Sequence, residues 1–156
     1  MPGVVELVRK LDPTRLIDVD SGGGANAFGL GDVNDIHTYS ATLAGVQPTA
    51  HQYALIGEFG GVGATVAGKE WQRGGCHNYQ QLATAHDEAT TYLGFATQLL
   101  ARVGHLSGAV LTQATDIELE CDGFKNYDRT AKFGGPDTEA IKKANQALIR
   151  AATAVL

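Results

Sequence analysis

The sequence predicts a parallel α/β fold in a single domain over residues 1–156. Four short apolar runs lack a polar–apolar alternation, which is typical of strands covered on both faces of a parallel sheet. Helical patterns or long connections separate these runs, as crossovers between parallel strands require. With 156 residues, the chain is long enough for one domain with one hydrophobic core.

The first predicted element is a short amphipathic helix over residues 2–11. Four apolar residues recur in it at helical spacing: Val4, Val5, Val8 and Leu11. Pro2 suits the first turn of a helix, where a backbone N–H has no intrahelical partner in any case. The Asp12-Pro13 pair then ends the helix, because a residue before proline disfavours the helical conformation.

The apolar runs predict four strands, and two longer helical patterns follow the third and fourth of them. The strands are predicted over residues 15–19, 33–37, 53–57 and 107–112. A loop with five glycines, over residues 21–31, joins the first two strands. The longest helical pattern covers residues 76–103 and is followed by Gly104, a typical C-cap residue. The last helix is predicted over residues 136–152.

Composition excludes two classes of partner. The 12 basic and 17 acidic residues give a net charge of −5, and the sequence has no Lys or Arg cluster. A nucleic-acid-binding surface is therefore not expected. No apolar run approaches the ~20 residues of a membrane span, and the first residues lack the apolar core of a signal peptide. We therefore expect a cytoplasmic protein that binds neither nucleic acid nor membrane.

The cysteines and histidines predict no metal centre. Cys76 and Cys121 are far apart in the sequence and form neither a disulfide scaffold nor a zinc motif. We expect two reduced or buried thiols, as is usual in the cytoplasm. The five histidines include no metal-binding motif such as His-Glu-x-x-His.

Glu58 is the first candidate for chemistry. It stands at the end of the third predicted strand, and Gly60 and Gly61 follow it after Phe59. In barrel and open-sheet enzymes the catalytic groups sit at this end of the strands. Asp35, His37 and Tyr39 alternate along the preceding strand, so their side chains point to one side. We expect them to meet Glu58, with His37 or Tyr39 donating a hydrogen bond to its carboxylate.

An acidic segment follows the fourth predicted strand. It contains Asp116, Glu118 and Glu120. These carboxylates could line a sugar or metal site, because they are hard oxygen ligands. A solvated acidic loop is the expectation we favour.

Five motifs follow one another along the chain and together indicate a family. They are LDPTRL (11–16), GDVNDIHTY (31–39), GEFGG (57–61), TQATDIE (112–118), and DGF with YDR (122–129). In order and spacing they resemble the C-terminal half of the catalytic barrel of glycoside hydrolase family 2, the β-galactosidase and β-glucuronidase family. The resemblance covers nearly the whole chain.

This resemblance implies a half-barrel whose four strands match strands five to eight of an eight-stranded (β/α) barrel. Glu58 matches the family's nucleophile at the tip of strand seven. The family's general acid/base is a Glu that follows Asn near the tip of strand four, and this chain has no such strand. Retaining glycosidases need two carboxyl groups about 5–5.5 Å apart. The resemblance thus implies a hydrolase derived from a retaining β-glycosidase, with one half of the catalytic pair missing from the chain.

On this hypothesis, Glu58, His37 and Tyr39 are catalytic, and three further residues contact the substrate. Those residues are Asp35, Trp71 and Gln113. The Trp71 ring could stack on a sugar ring or serve only in loop packing. No cofactor is expected for this reaction.

A half-barrel leaves two edge strands with unpaired backbone groups and an inner face open to water. Two copies related by a two-fold axis would cover both, so we expect a homodimer. The dimer would bring two copies of Glu58 and His37 to a shared mouth. That mouth suggests a second hypothesis, a hydrolase of phosphate or other esters that uses a divalent metal. A third hypothesis is a non-catalytic carbohydrate-binding or inactive barrel fragment.

Overall fold

The computed structural model describes residues 2–19, 21–22 and 29–155, and these form an α/β fold with parallel strands. Its elements in chain order are α1 (Pro2–Leu11), β1 (Val33–Thr38), β2 (Tyr53–Gly60), β3 (Val62–Ala64), β4 (Gln80–Leu82), α2 (Ala85–Leu100), β5 (Leu106–Thr112) and α3 (Gly135–Ala154). One sheet has the strand order β1-β2-β5 and the other pairs β3 with β4. All three pairings between these strands are parallel, which confirms the predicted α/β class with parallel strands.

The hydrophobic core lies between the three-stranded sheet and α2, with α3 closing one side. Ala54, Ile56 and Phe59 enter it from β2, and the Phe59 ring meets Phe95 of α2 edge to face at 5.7 Å. The core face of α2 recurs at helical spacing: Ala89, Tyr92, Phe95, Ala96 and Leu99. The helices therefore cover one face of the sheet, and the opposite face is left for polar groups.

The helix predicted over residues 76–103 begins later, at Ala85. Thr84 caps it, because its hydroxyl accepts a hydrogen bond from the Asp87 N–H while Asp87 accepts one from the Thr84 N–H. Residues 76–84 instead hold the short strand β4 and a loop that carries His77 and Tyr79. The prediction failed here because the two apolar residues within 76–81 are used elsewhere: Cys76 forms a disulfide and Tyr79 stacks on Tyr39, so neither continues the core face of α2.

The strand predicted over residues 15–19 is wrong. This segment makes two bonds at its centre, both to one residue: the Ile17 N–H donates to the Asp32 carboxylate at 2.8 Å, and the Ile17 carbonyl accepts from the Asp32 N–H at 2.7 Å. One of these bonds is made by a side chain and only one by the neighbouring backbone, so the segment lacks the ladder of backbone bonds that defines a strand. The glycine-rich loop predicted over residues 21–31 lies largely outside the described residues.

Cys76 and Cys121 form a disulfide, with an S–S distance of 2.02 Å and a Cα–Cα distance of 5.5 Å. The prediction of two free thiols is therefore wrong. Sequence spacing misled it, because the fold brings the loop before β4 against the segment that follows β5. The expectation of a cytoplasmic protein loses the support that it drew from free thiols.

Apolar side chains remain exposed at both ends of the fold. No residue of α1 is buried, and Val4, Leu7 and Leu11 are among its exposed apolar residues. At the other side of the sheet, Val110 of β5 is 53% exposed. Among the described residues, no helix combines the length and apolar character needed to cross a bilayer.

Candidate active site

A bulge in β2 brings Glu58 to the polar face of the sheet. In the β1–β2 ladder, Ile36 is paired with Ile56, but the next pair is His37 with Glu58, so Gly57 has no opposite residue. Regular alternation would place Glu58 on the helix-covered face with Ile56. The extra residue moves it to the face that carries Asp35 and His37.

Gly57 is required at the bulge because the Asp35 carboxylate occupies the space of a side chain there. A Cβ at position 57 would overlap both carboxylate oxygens. The Gly57 N–H instead donates to Asp35 Oδ1 at 2.5 Å, and Asp35 Oδ2 accepts from the Ser21 hydroxyl at 2.5 Å and from the Gly22 N–H at 3.1 Å. Asp35 is only 1% exposed. It therefore holds the 21–22 segment, β1 and the bulge of β2 together.

Tyr39 and His37 both contact the Glu58 carboxylate. The Tyr39 hydroxyl donates to Glu58 Oε2, and His37 Nδ1 lies 3.4 Å from the same oxygen and 3.2 Å from the Tyr39 hydroxyl. On the other side of the imidazole, Nε2 lies 3.1 Å from the Ser21 hydroxyl and 3.6 Å from Asp35 Oδ2. The Glu58 side chain is 34% exposed. One carboxylate is thus oriented by two neighbours and still reachable from solvent.

The electrostatics of this group keep Tyr39 a hydrogen-bond donor. Burial raises the pKa of Tyr39 most, and the hydrogen bond to Glu58, the Glu58 charge and the hydrogen bond with Tyr79 raise it further. The phenol therefore stays protonated at neutral pH and donates to Glu58. Burial also raises the pKa of Asp18, and the nearby Asp35 charge adds to this, while His37 acts in the opposite sense.

Asp18 and Ser21 belong to this group although sequence reasoning did not select them. Asp18 is the last residue but one of the segment predicted as the first strand, so an argument similar to that used for Glu58 could have found it. Ser21 carried no comparable signal. Within the described ranges, no three or more His, Cys, Asp or Glu residues are arranged to hold a metal ion.

Tyr79 extends the group beyond Tyr39. The two rings stack with their centres 3.8 Å apart and an angle of 3° between their planes. Gly61 permits this, because a Cβ there would lie 2.5 Å from the Tyr79 ring. The Tyr79 residue is 71% exposed. Sequence reasoning missed it because it fell within a predicted helix.

Gln113 lies beside the end of β2, since Thr112 is paired with Gly60 in the β2–β5 ladder. Its amide donates to Asp122 Oδ1 at 2.7 Å and to Glu120 Oε2 at 3.1 Å. Burial raises the pKa of Asp122. Gln113 therefore organises a second pair of carboxylates next to the first group.

Trp71 is set apart from the other predicted site residues. Its ring is half exposed, with its centre 6.4 Å from that of Tyr127. The neighbouring residues Lys69 and Asp128 form an ion pair at 2.6 Å, so the segments around Trp71 and Tyr127 contact each other at two places. The described ring contact of Trp71 is with Tyr127, and no described contact links Trp71 to Glu58.

Asp116 is not part of a solvated acidic loop, contrary to the expectation. It is buried and binds the Lys132 ammonium at 2.8 Å, and Glu88 of α2 lies 3.5 Å from the same ammonium. The Cys121 carbonyl accepts from Lys132 at 2.9 Å, and Glu88 Oε2 accepts from the Ala64 N–H at 2.8 Å. The buried cluster of Glu88, Asp116 and Lys132 therefore joins β3, α2 and the segment that follows β5.

The cluster makes stability depend on pH through Glu88. Burial raises the pKa of Glu88 from 4.5 to about 7, and Lys132 only partly opposes this. A carboxyl group whose pKa is higher in the folded state stabilises the fold below its unfolded pKa, and this contribution is lost as the pH rises through the folded value. We expect the free energy of unfolding of the wild type, relative to Glu88→Gln, to fall by about 3 kcal/mol between pH 4.5 and 7.

Urea unfolding of both proteins across this pH range measures the difference. Glu139→Gln, which changes an exposed carboxylate on α3, is the matched control and should show no such trend. A difference between wild type and Glu88→Gln that does not change with pH would contradict the assignment.

Comparison with solved structures identifies the fold. No protein-family model and no curated protein sequence matches the chain. It is similar to an agarase, AgWH50C, with a TM-score of 0.66 and 15% identity over 96% of this chain and 25% of the agarase. It is also similar to an exo-β-agarase, with a TM-score of 0.65 and 17% identity over 98% of this chain and 22% of that enzyme. The chain thus spans about a quarter of each and shares the fold of that part of the two agarases, and neither similarity points to family 2 specifically.

Proposed function

We propose that this chain is a part of a glycoside hydrolase barrel and that Glu58 is its nucleophile for cleaving β-glycosides. The observation that carries the proposal is the Glu58 carboxylate at the C-terminal end of a parallel strand, bound by Tyr39, next to His37 and open to solvent. In a retaining mechanism such a carboxylate bonds to the anomeric carbon while the bond from that carbon to the leaving-group oxygen breaks, and water then cleaves the resulting glycosyl-enzyme. The fold shared with two agarases supports this assignment.

The neighbouring residues have roles that fit this step. Tyr39 and His37 position the carboxylate. The carboxylate loses its negative charge as it bonds to the sugar, and both side chains can adjust their hydrogen bonds to it as this happens. Asp35 acts through the bulge, because it fixes Gly57 and therefore the direction of Glu58. Because both similar structures are agarases, we propose a β-linked galactan as the substrate class.

We further propose that the chain does not supply the acid/base of this reaction, because the sequence contains no Asn-Glu pair of the kind that the family 2 resemblance implies. General acid catalysis typically contributes 10²–10⁴-fold to the rate. We therefore expect turnover of dinitrophenyl β-galactoside, whose leaving group needs no proton, to exceed that of phenyl β-galactoside by roughly a hundredfold or more.

Release of the two phenols, followed by absorbance, tests the function. Similar rates on the two substrates would show that a proton donor is present after all. The absence of turnover on both, with binding of galactan oligosaccharides, would favour the non-catalytic alternative and overturn the proposal.

We also propose that the chain forms a half-barrel and is completed by a second copy. Exposed apolar side chains lie on α1, which bonds through Arg9 to Asp32 directly before the edge strand β1, and Val110 is exposed on β5, the other edge strand. Edge strands and exposed apolar faces of this kind are usually covered by a partner. Size-exclusion chromatography with light scattering should give twice the chain mass of 16.4 kDa, and a monomer at micromolar concentration would refute the dimer.

The Cys76–Cys121 disulfide favours an oxidising compartment over the cytoplasm that the sequence suggested. Disulfides form and persist mainly in secreted and periplasmic proteins. We therefore propose that the chain matures outside the reducing cytoplasm, where polysaccharide substrates are also met.

A further inference from the structure

A cavity of about 250 Å³ opens beside the Glu58 group. It is lined by His77, Asn78, Tyr79, Glu120 and Asp122. Tyr79 belongs to both sites, because its ring stacks on Tyr39, whose hydroxyl binds Glu58. A ligand in this cavity would therefore lie next to a group bound at Glu58.

The two walls of the cavity are fastened to each other before any ligand binds. One wall is the segment 76–79 and the other is the segment 119–122. The disulfide joins Cys76 to Cys121, the Asn78 side-chain oxygen accepts from the Cys121 N–H at 3.0 Å, and the His77 N–H donates to the Leu119 carbonyl at 2.6 Å. A site held in this way loses little conformational entropy on binding.

The chemistry of the walls fits a neutral sugar ring. Tyr79 offers a flat, exposed aromatic surface that is held in place by Tyr39, and such a surface packs against the apolar C–H face of a sugar. Asp122, 5% exposed, lines the cavity, and one of its carboxylate oxygens accepts a hydrogen bond from the Gln113 amide. The Glu120 carboxylate accepts from the same amide nitrogen. Carboxylate oxygens accept hydrogen bonds from sugar hydroxyls. Two acidic side chains also disfavour an anionic ligand.

We propose that this cavity is a binding subsite for a second, neutral sugar unit of the chain that is cleaved at Glu58, with Tyr79 as the stacking surface and Asp122 as a hydroxyl acceptor. This inference rests on the proposed function, because it takes Glu58 as the place where the sugar chain is cleaved. Its existence is testable without any turnover.

Binding is measured in the Glu58→Gln protein, so that no substrate is cleaved. The probes are agarose oligosaccharides of two, four and six sugar units, titrated calorimetrically. We expect Tyr79→Ala to weaken binding of the longer probes by about tenfold and Asp122→Asn by about fivefold. Tyr79→Phe keeps the ring and should bind within about twofold of the parent.

Tyr53→Ala is the matched control, because Tyr53 is an exposed tyrosine at the opposite end of β2. It should leave binding unchanged. Circular dichroism and formation of the disulfide check that each variant is folded, and Tyr79→Phe guards against a failure of Tyr79→Ala to fold.

Unchanged affinity in both Tyr79→Ala and Asp122→Asn would overturn the subsite, and so would the absence of binding to all three probes. Tighter binding of a sulfated oligosaccharide than of its neutral counterpart would overturn the assignment to neutral sugars. Normal oligosaccharide binding together with no turnover of dinitrophenyl β-galactoside would overturn the proposed function and leave the subsite standing.

Discussion

Replacing Glu58 with Gln is expected to lower kcat/KM for dinitrophenyl β-galactoside roughly a thousandfold or more, a loss of about 4 kcal/mol or more of transition-state stabilisation. The amide has the same shape as the carboxylate, and its oxygen can still accept from Tyr39. It cannot, however, form the bond to the anomeric carbon. The loss should therefore appear in the rate while the fold and oligosaccharide binding are retained.

Glu139→Gln is the control for this comparison, because it removes an exposed carboxylate from α3 without touching the site. Initial rates of the wild type and both variants are measured with the same substrate. If Glu58→Gln kept more than about a tenth of the wild-type rate, Glu58 would not be the nucleophile.

Reducing the Cys76–Cys121 disulfide is expected to lower the free energy of unfolding by about 4 kcal/mol. The bond closes a loop with a sequence separation of 45, and in the chain-entropy model a loop of this length restricts the unfolded state by that amount. For a small domain this is a large share of the total stability. The stretch of chain closed by the disulfide contains Tyr79, β4 and α2, so we expect the packing of all three to weaken together.

Urea unfolding with and without dithiothreitol measures this effect. The Cys76→Ala/Cys121→Ala double variant separates it from any other action of the reductant, because its stability should equal that of the reduced protein in both buffers. A difference of less than about 1 kcal/mol between oxidised and reduced protein would show that the bridge is not a structural restraint.

Much of the fold could be predicted from local patterns. The apolar runs at β1, β2 and β5 and the helical patterns of α1 and α3 each sit within a few residues of the observed elements. These elements are specified by their own residues. The 15–19 segment differs because its apolar residues also suited a strand, whereas its bonds to Asp32, 15 residues away from Ile17, include one side-chain bond and one backbone bond and do not form a ladder.

Part of the site could also be predicted, because some of its features are local properties of one strand. The alternation of Asp35, His37 and Tyr39 is a local property of one strand, and so is the position of Glu58 at a strand end. The bulge at Gly57 is not, because it depends on a carboxylate from the neighbouring strand. Tyr79, the disulfide and the buried Lys132 cluster likewise depend on contacts between segments far apart in sequence, which one sequence does not reveal.

The central claim is that Glu58 attacks a sugar. Its most direct test is to incubate the protein with a fluorinated β-galactosyl fluoride, whose leaving group needs no proton and whose glycosyl-enzyme is slow to hydrolyse. Peptide mass spectrometry should then find one fluorosugar bound to Glu58, and none in the Glu58→Gln protein. A protein that stays unlabelled, or that carries the sugar on another residue, would contradict the account.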